Sequence, residues 1–322
     1  APAPATVVRV LDSIPDNAIG SVNLENNWGN TIVLLLDNGL YVKLCHLKQG
    51  SATVAEGERV AHGHILARCG NSGRSPVPHL HLQLQASPQV GSHTLPFRLY
   101  HYVELREGQK HYHTCGVPRE GSRIRDLPIN ADVASGFDSF VTHPPRFRVT
   151  TDGSSYEETI TTTISDAGLH ELHTESRKAT LTVRLTERSF FAVGFRGDRK
   201  SILLLLYLGL GRMPFTSEHG VCWTDELDPH ALLNPWGRLW QDLLGPFTGM
   251  PTLHTRSTTA PASDAITEVH TEVSPACHGA ALQSSIPHRI VIHLSKRSGI
   301  ARIHSESKSG AIQAEIVHDN TN

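Results

Sequence analysis

Thr31-Ile-Val-Leu-Leu-Leu36 runs directly into Asp37-Asn38-Gly39. An aliphatic run this short, bounded by a turn signal, predicts a β-strand covered on both faces. Asn-Gly favours a tight hairpin because both residues tolerate positive φ. Leu40–Leu44 is therefore the predicted returning strand, with His46 at its end. A strand buried on both sides needs further chain above and below it. Val7–Leu11 supplies one more short strand, and Pro78-His-Leu-His-Leu-Gln-Leu84 alternates with a period of two, as a strand does. Between them, Val54-x-x-Gly57-x-x-Val60-x-x-Gly63-x-Ile65 predicts short segments turning sharply at barrel-like corners.

Beyond residue 97 the signals weaken until about 135. His101, His111 and His113 lie there among Tyr100, Tyr102 and Tyr112, and are expected on a solvated loop or edge strand. Strand patterns return at 159–164, 180–185, 189–195 and 201–208, spaced as in a β-sandwich. Ile202–Leu210, the longest apolar run, is too short to span a bilayer, which takes about 20 residues, and is expected to be a buried strand. One amphipathic helix is predicted at 234–244, capped by Asn234 and Pro235, with Trp236, Leu239, Trp240, Leu243 and Leu244 on one face. Residues 251–275, rich in Thr, Ser, Pro and Ala, are expected to be an exposed loop, with closing strands at 289–294 and 311–317. The expected fold is mainly β: an antiparallel-sheet domain over 1–130 and a second β-rich domain with one amphipathic helix over 131–322.

A chain of 322 residues can fill two ordinary domains, and 39% hydrophobic with 19% charged residues places it among globular proteins. The formal charge of −2 and the lack of a basic stripe argue against a nucleic-acid partner. The five cysteines form no CxxC pair, which disfavours a zinc ribbon or a dithiol redox site, and an odd number leaves one thiol unpaired in a monomer. No signal-peptide pattern and no transmembrane segment is visible. The start at Ala-Pro-Ala-Pro, without Met, suggests a processed product or a piece of a longer chain.

Chemistry concentrates at His79 and His81. At i and i+2 of a strand, two imidazoles project from one face, so one could hold a metal while the other acts beside it. His46 could reach the same place from the neighbouring strand. Spacing alone also admits two ordinary surface histidines, because the chain has 21.

The order of elements from Asn27 to Leu84 carries more. Trp28-Gly29-Asn30 leads into the apolar strand. Asp37-Asn38-Gly39 and Tyr41 precede Cys45-His46-Leu47. The Val/Gly ladder, Gly70-Asn-Ser-Gly-Arg-Ser75 and His79-Leu-His81 follow. In this order the segment resembles the LytM/lysostaphin-like zinc metalloendopeptidases, peptidoglycan hydrolases of the bacterial envelope. Biotinyl and lipoyl carriers share the ladder, but they need a lysine at a hairpin tip, and Lys43 and Lys48 do not sit in one.

The resemblance implies that His81 ligates Zn2+, that His46 and His79 are catalytic, and that the partners are peptidoglycan peptides in the cell envelope or periplasm. The family supplies two more ligands, a His and an Asp a few residues apart, ahead of a stretch similar to Ala1-Pro-Ala-Pro4. They have no equivalent after residue 1, so the zinc site is expected to be incomplete and this chain inactive by itself. Asp12 and Asp16 lie downstream of the place where that Asp belongs. Some LytM-like domains are non-catalytic binding or regulatory modules, which is the alternative. Pro15 to Asn30 and the C-terminal region also resemble bacterial proteins in which such a module follows a urea-transporter-like membrane domain, implying an upstream membrane domain.

Overall fold

The structure, a computed structural model, describes residues 1–228, 252–263, 266–276 and 286–317. It divides into two units, Ala1–Arg98 and Leu99–Asn322. The predicted Trp236/Trp240 helix lies outside the described residues.

The first unit is a sheet of six strands: β1 (Ala5–Leu11), β2 (Asn30–Leu36), β3 (Tyr41–Leu47), β4 (Arg59–Val60), β5 (His81–Gln85) and β6 (Thr94–Leu95). Their order is β4-β1-β2-β3-β5-β6, antiparallel throughout. The β2–β3 hairpin closes at Asn38-Gly39 as expected, with Gly39 at φ 83° and Leu36 N–H donating to Leu40 C=O. Val7, Ile32, Leu34, Val42, Leu44 and Val60 form its core. The Val/Gly ladder yields only the two-residue β4. The rest is irregular chain with two turns, where Gly57 and Gly63 take positive φ.

The second unit holds one fifteen-stranded sheet and two helices among the described residues. The strands are β7 (Leu99–Arg106), β8 (Gln109–Gly116), β9 (Arg123–Asp126), β10 (Arg146–Thr151), β11 (Ser154–Ile164), β12 (His170–Thr174), β13 (Ala179–Leu185), β14 (Ser189–Arg196), β15 (Arg212–Pro214), β16 (Val221–Leu227), β17 (Thr252–Ala260), β18 (Thr267–Ala276), β19 (Arg289–Ser295), β20 (Gly299–Ser307) and β21 (Gly310–Ile316). The helices are α1 (Ala131–Thr142) and α2 (Ile202–Leu210). The sheet order is β15-β14-β13-β12-β11-β10-β21-β20-β19-β18-β17-β16-β8-β7-β9. Helix α2 packs on β13 and β14 near one end of this order and on β17, β18 and β19 well along it. The sheet must therefore curve around the helix, enclosing Phe137, Phe147, Phe190, Leu205, Leu208 and Ile292 in one apolar core.

Two expectations need correction. The chain stays mainly β, but Ile202–Leu210 is a helix, not a strand. Leucine is a good helix former, Ser201 caps the first turn by accepting from Leu203 N–H, and every residue of the segment is buried, so no amphipathic period marks it. Helix α1 has its own signals: Asn130 Oδ1 accepts from Asp132 and Val133 N–H, and Val133, Phe137, Phe140 and Val141 bury one face. Residues 252–260 and 267–276 are strands, not an exposed loop. In β17 the buried positions are Leu253, Thr255, Ser257 and Thr259, so the inward face is largely hydroxyl-bearing. Two of those hydroxyls show how the burial is tolerated: Ser257 meets Thr271 at 2.8 Å and Thr259 donates to Glu218 C=O at 2.6 Å. Burial alternates with a period of two, but hydrophobicity does not. The units part after Arg98. The reason is pairing: β7 and β8 form a hairpin, and β8 runs parallel to β16 (Lys110 opposite Val221, His111 opposite Cys222), joining this segment to the large sheet.

Candidate active site

All three predicted histidines come together on the β3–β5 side of the first unit. The His46 ring centroid is 4.8 Å from that of His79 and 6.0 Å from that of His81. Trp28 stands edge-on to His81 at 5.5 Å. Each histidine is brought there by a different local device.

His46 is placed by a β-bulge. Asn30 pairs with Leu47 and Ile32 with Leu44, so Cys45 and His46 together face the single residue Thr31. The extra residue shifts the register between Leu44 and Leu47, in a strand buried continuously from Val42 to Leu47. His46 takes φ 61°, a conformation uncommon outside glycine. Its Nδ1–H donates to Ser72 C=O at 2.8 Å, which leaves the lone pair on Nε2. Ser72 can approach because Gly29 and Gly73 have no side chains: a Cβ on Gly29 would lie 2.4 Å from Ser72 O, and one on Gly73 2.4 Å from Gly29 N. Burial, partly offset by the Ser72 bond, pulls the His46 pKa below the usual imidazole value, and nearby His79, His81 and Lys43 push the same way. These effects favour the neutral form of His46.

His79 does not lie on the strand. β5 begins at His81, and His79 belongs to the loop before it. Its Nδ1–H is held by Val77 C=O at 2.9 Å, with Ser75 Oγ 3.1 Å away. Ser75 is itself anchored by Asn71 Oδ1 at 2.8 Å. The expected same-face alternation of His79 and His81 is thus replaced by a loop geometry that still brings both rings to His46. His81 is half-buried opposite Cys45, and its Nε2 lies 3.3 Å from Gln83 Oε1.

Sequence reasoning missed Lys43. It is fully buried, its Nζ has no hydrogen-bond partner, and it sits 3.1 Å from the centroid of the Trp28 ring. Burial lowers its pKa. A cation held only by a π-face bears the cost of desolvation with little in return. Lys43→Met is therefore expected to stabilise the first unit by about 1–2 kcal/mol, read as a raised midpoint in urea. A loss of stability would show that the amine has a partner that matters more.

As a metal site the described residues are partial. His81 has the chemistry of a ligand, but catalytic zinc normally takes three protein ligands. Among the described residues no group of three or more His, Cys, Asp or Glu side chains could hold a metal ion. Asp12 and Asp16 are occupied elsewhere: Asp12 accepts from Ala52 N–H, and Asp16 from Gln49 and Asn71 N–H. The other histidine cluster is dispersed, with His101 on Tyr112 Oη at 2.5 Å, His111 on Cys222 Sγ at 3.3 Å and His113 on Glu104 at 3.1 Å. Cys45, Cys69, Cys115 and Cys222 are free thiols.

Comparison with known proteins adds a family. Residues 13–92 match Peptidase family M23. One similar solved structure is a mutant form of the catalytic domain of the prophage-encoded M23 protein EnpA from Enterococcus faecalis. It shows 21% sequence identity over 30% of this chain and 62% of that one, with a TM-score of 0.22, so the chain spans under two thirds of it. No curated protein matched. The matched segment is similar to Peptidase family M23, and it contains His46, His79 and His81.

Proposed function

We propose that the first unit is part of a zinc metalloendopeptidase of the LytM/lysostaphin type that hydrolyses peptide bonds in bacterial peptidoglycan, working in the cell envelope. His81 would be one zinc ligand, and His46 and His79 the catalytic histidines. The observation that supports this most is the convergence of the three imidazoles within the family-matched segment, each fixed by a different backbone or side-chain anchor.

Zinc, when bound by a full ligand set, would polarise the scissile carbonyl and acidify a water. This chain contributes proton handling. With Nδ1–H of His46 committed to Ser72 and Nδ1–H of His79 to Val77, both rings offer Nε2 as the basic atom. A neutral His46 can take a proton from an attacking water there, and return it to the leaving amine. Once protonated, either imidazole can stabilise negative charge developing on the carbonyl oxygen.

Ligand count makes this testable. This polypeptide alone is expected to hold zinc weakly and below one equivalent, because the roughly 10 kcal/mol or more of binding free energy at structural zinc sites requires a complete set. Stoichiometric zinc in metal analysis would overturn the ligand count. A version extended upstream, where it encodes a His and an Asp a few residues apart, should bind zinc and cleave peptidoglycan peptides. In that version His46→Ala should lower kcat by about 10²–10⁴-fold. Zinc-loaded extended protein that cleaves nothing would favour a non-catalytic envelope module.

A further inference from the structure

His46 and His79 are both anchored through Nδ1, but His81 is anchored through Nε2. The partner of His81 Nε2 is the Gln83 side chain, and the orientation of that amide is not arbitrary. Gln83 Nε2 donates to two oxygens, Gln85 Oε1 at 3.2 Å and Ser92 C=O at 2.9 Å. Both can only accept, so the nitrogen of Gln83 faces them and its oxygen faces His81. Gln85 is fixed in the same way, its Nε2 donating to Ser87 C=O at 2.6 Å and Gln89 C=O at 3.0 Å. Gln83 and Gln85 are both buried, 4% and 0% exposed, so water cannot readily take over these bonds.

We infer that Gln83 and Gln85 are positioning residues that lock His81 as the Nε2–H tautomer, with the lone pair on Nδ1. The carbonyls of the segment from Ser87 to Ser92 fix Gln85 and Gln83, Gln83 fixes the ring, and the ring is thereby given the opposite tautomer to its two neighbours. A histidine that donates one ring N–H to a fixed acceptor is oriented and made more basic at the other nitrogen, which is what an electron-pair donor to a metal requires. The role toward a metal rests on the proposed function. The tautomer does not, because it follows from hydrogen bonds inside the chain.

The test is ¹⁵N NMR of histidine-labelled, metal-free protein above the titration range of imidazole. Wild type should show His81 as Nε2–H, with that proton protected from exchange with water, and with His46 and His79 as Nδ1–H. Gln83→Leu should cost His81 about five-fold in tautomer preference, the worth of one ordinary hydrogen bond, and abolish the protected proton. Gln83→Glu, which keeps an acceptor, should restore the Nε2–H form. Gln85→Leu frees the Gln83 amide to turn and should weaken the preference without touching the ring, which keeps the idea testable if Gln83→Leu fails to fold. An Nδ1–H His81 in wild type, or unchanged tautomer and exchange in folded Gln83→Leu or Gln85→Leu, would overturn the assignment. Failure of the extended protein to bind zinc would sink the peptidase proposal and leave this result standing.

Discussion

Asn30→Ala is expected to destabilise the first unit by about 3–5 kcal/mol. Asn30 is fully buried where the apolar strand begins. Its Oδ1 accepts from Ile14 N–H at 2.8 Å, and its Nδ2 donates to Ile14 C=O at 2.7 Å and Leu47 C=O at 3.1 Å. Its own N–H donates to Ser72 Oγ at 2.9 Å, and Ser72 Oγ donates to Leu47 C=O at 2.7 Å. One side chain thus joins the segment before β2, the end of β3 and the loop that supplies the His46 anchor. Truncation removes three bonds and leaves the buried Ile14 amide and carbonyl without them. Domains of this size have about 5–15 kcal/mol in total, so the loss is a large fraction of it. Hydrogen exchange should show β2 and β3 amides opening far more readily, with the second unit's core amides unchanged. A cost below about 1 kcal/mol would mean that water replaces the amide, and that the residue is not the joint it looks to be.

Phe137→Ala should have a comparable effect on the second unit, about 3–5 kcal/mol. Phe137 is fully buried on α1, with its ring 5.0 Å from Phe190 of β14 and 5.5 Å from Phe215. The same helix approaches the β19–β20 turn so closely that a Cβ on Gly136 would lie 2.7 Å from Ser295 O. With its backbone held there, α1 cannot settle into the space a phenyl leaves, and the cavity persists. The expected readout is a lower urea midpoint with faster exchange of α1 and α2 amides. Phe137→Leu should recover most of the loss, because it refills much of the volume. If Phe137→Ala costs no more than an exposed substitution would, then α1 is not pinned as described.

Both sites show what pattern can and cannot convey. The β2–β3 hairpin was legible because Ile32–Leu36 and Asn38-Gly39 carry their information locally, in hydrophobicity and in tolerance of positive φ. The strand β17 was illegible because its inward face is built from Thr and Ser, whose burial is tolerable only once partners on neighbouring segments exist. Helix α2 carries no helical pattern, because a segment buried on every side has no period.

The histidines divide in the same way. Among 21 histidines, residue type and spacing did not single out His46, His79 and His81; the resemblance along Asn27–Leu84 did. Their assembly is a tertiary fact. It needed the bulge at His46, where φ is 61°, the glycine contact that lets Ser72 reach it, and the loop that holds His79 off the strand. Lys43 over Trp28 and the Gln85–Gln83–His81 chain were likewise invisible beforehand. Hydrogen-bond direction depends on which donors and acceptors meet, and only the folded strands and loops decide that.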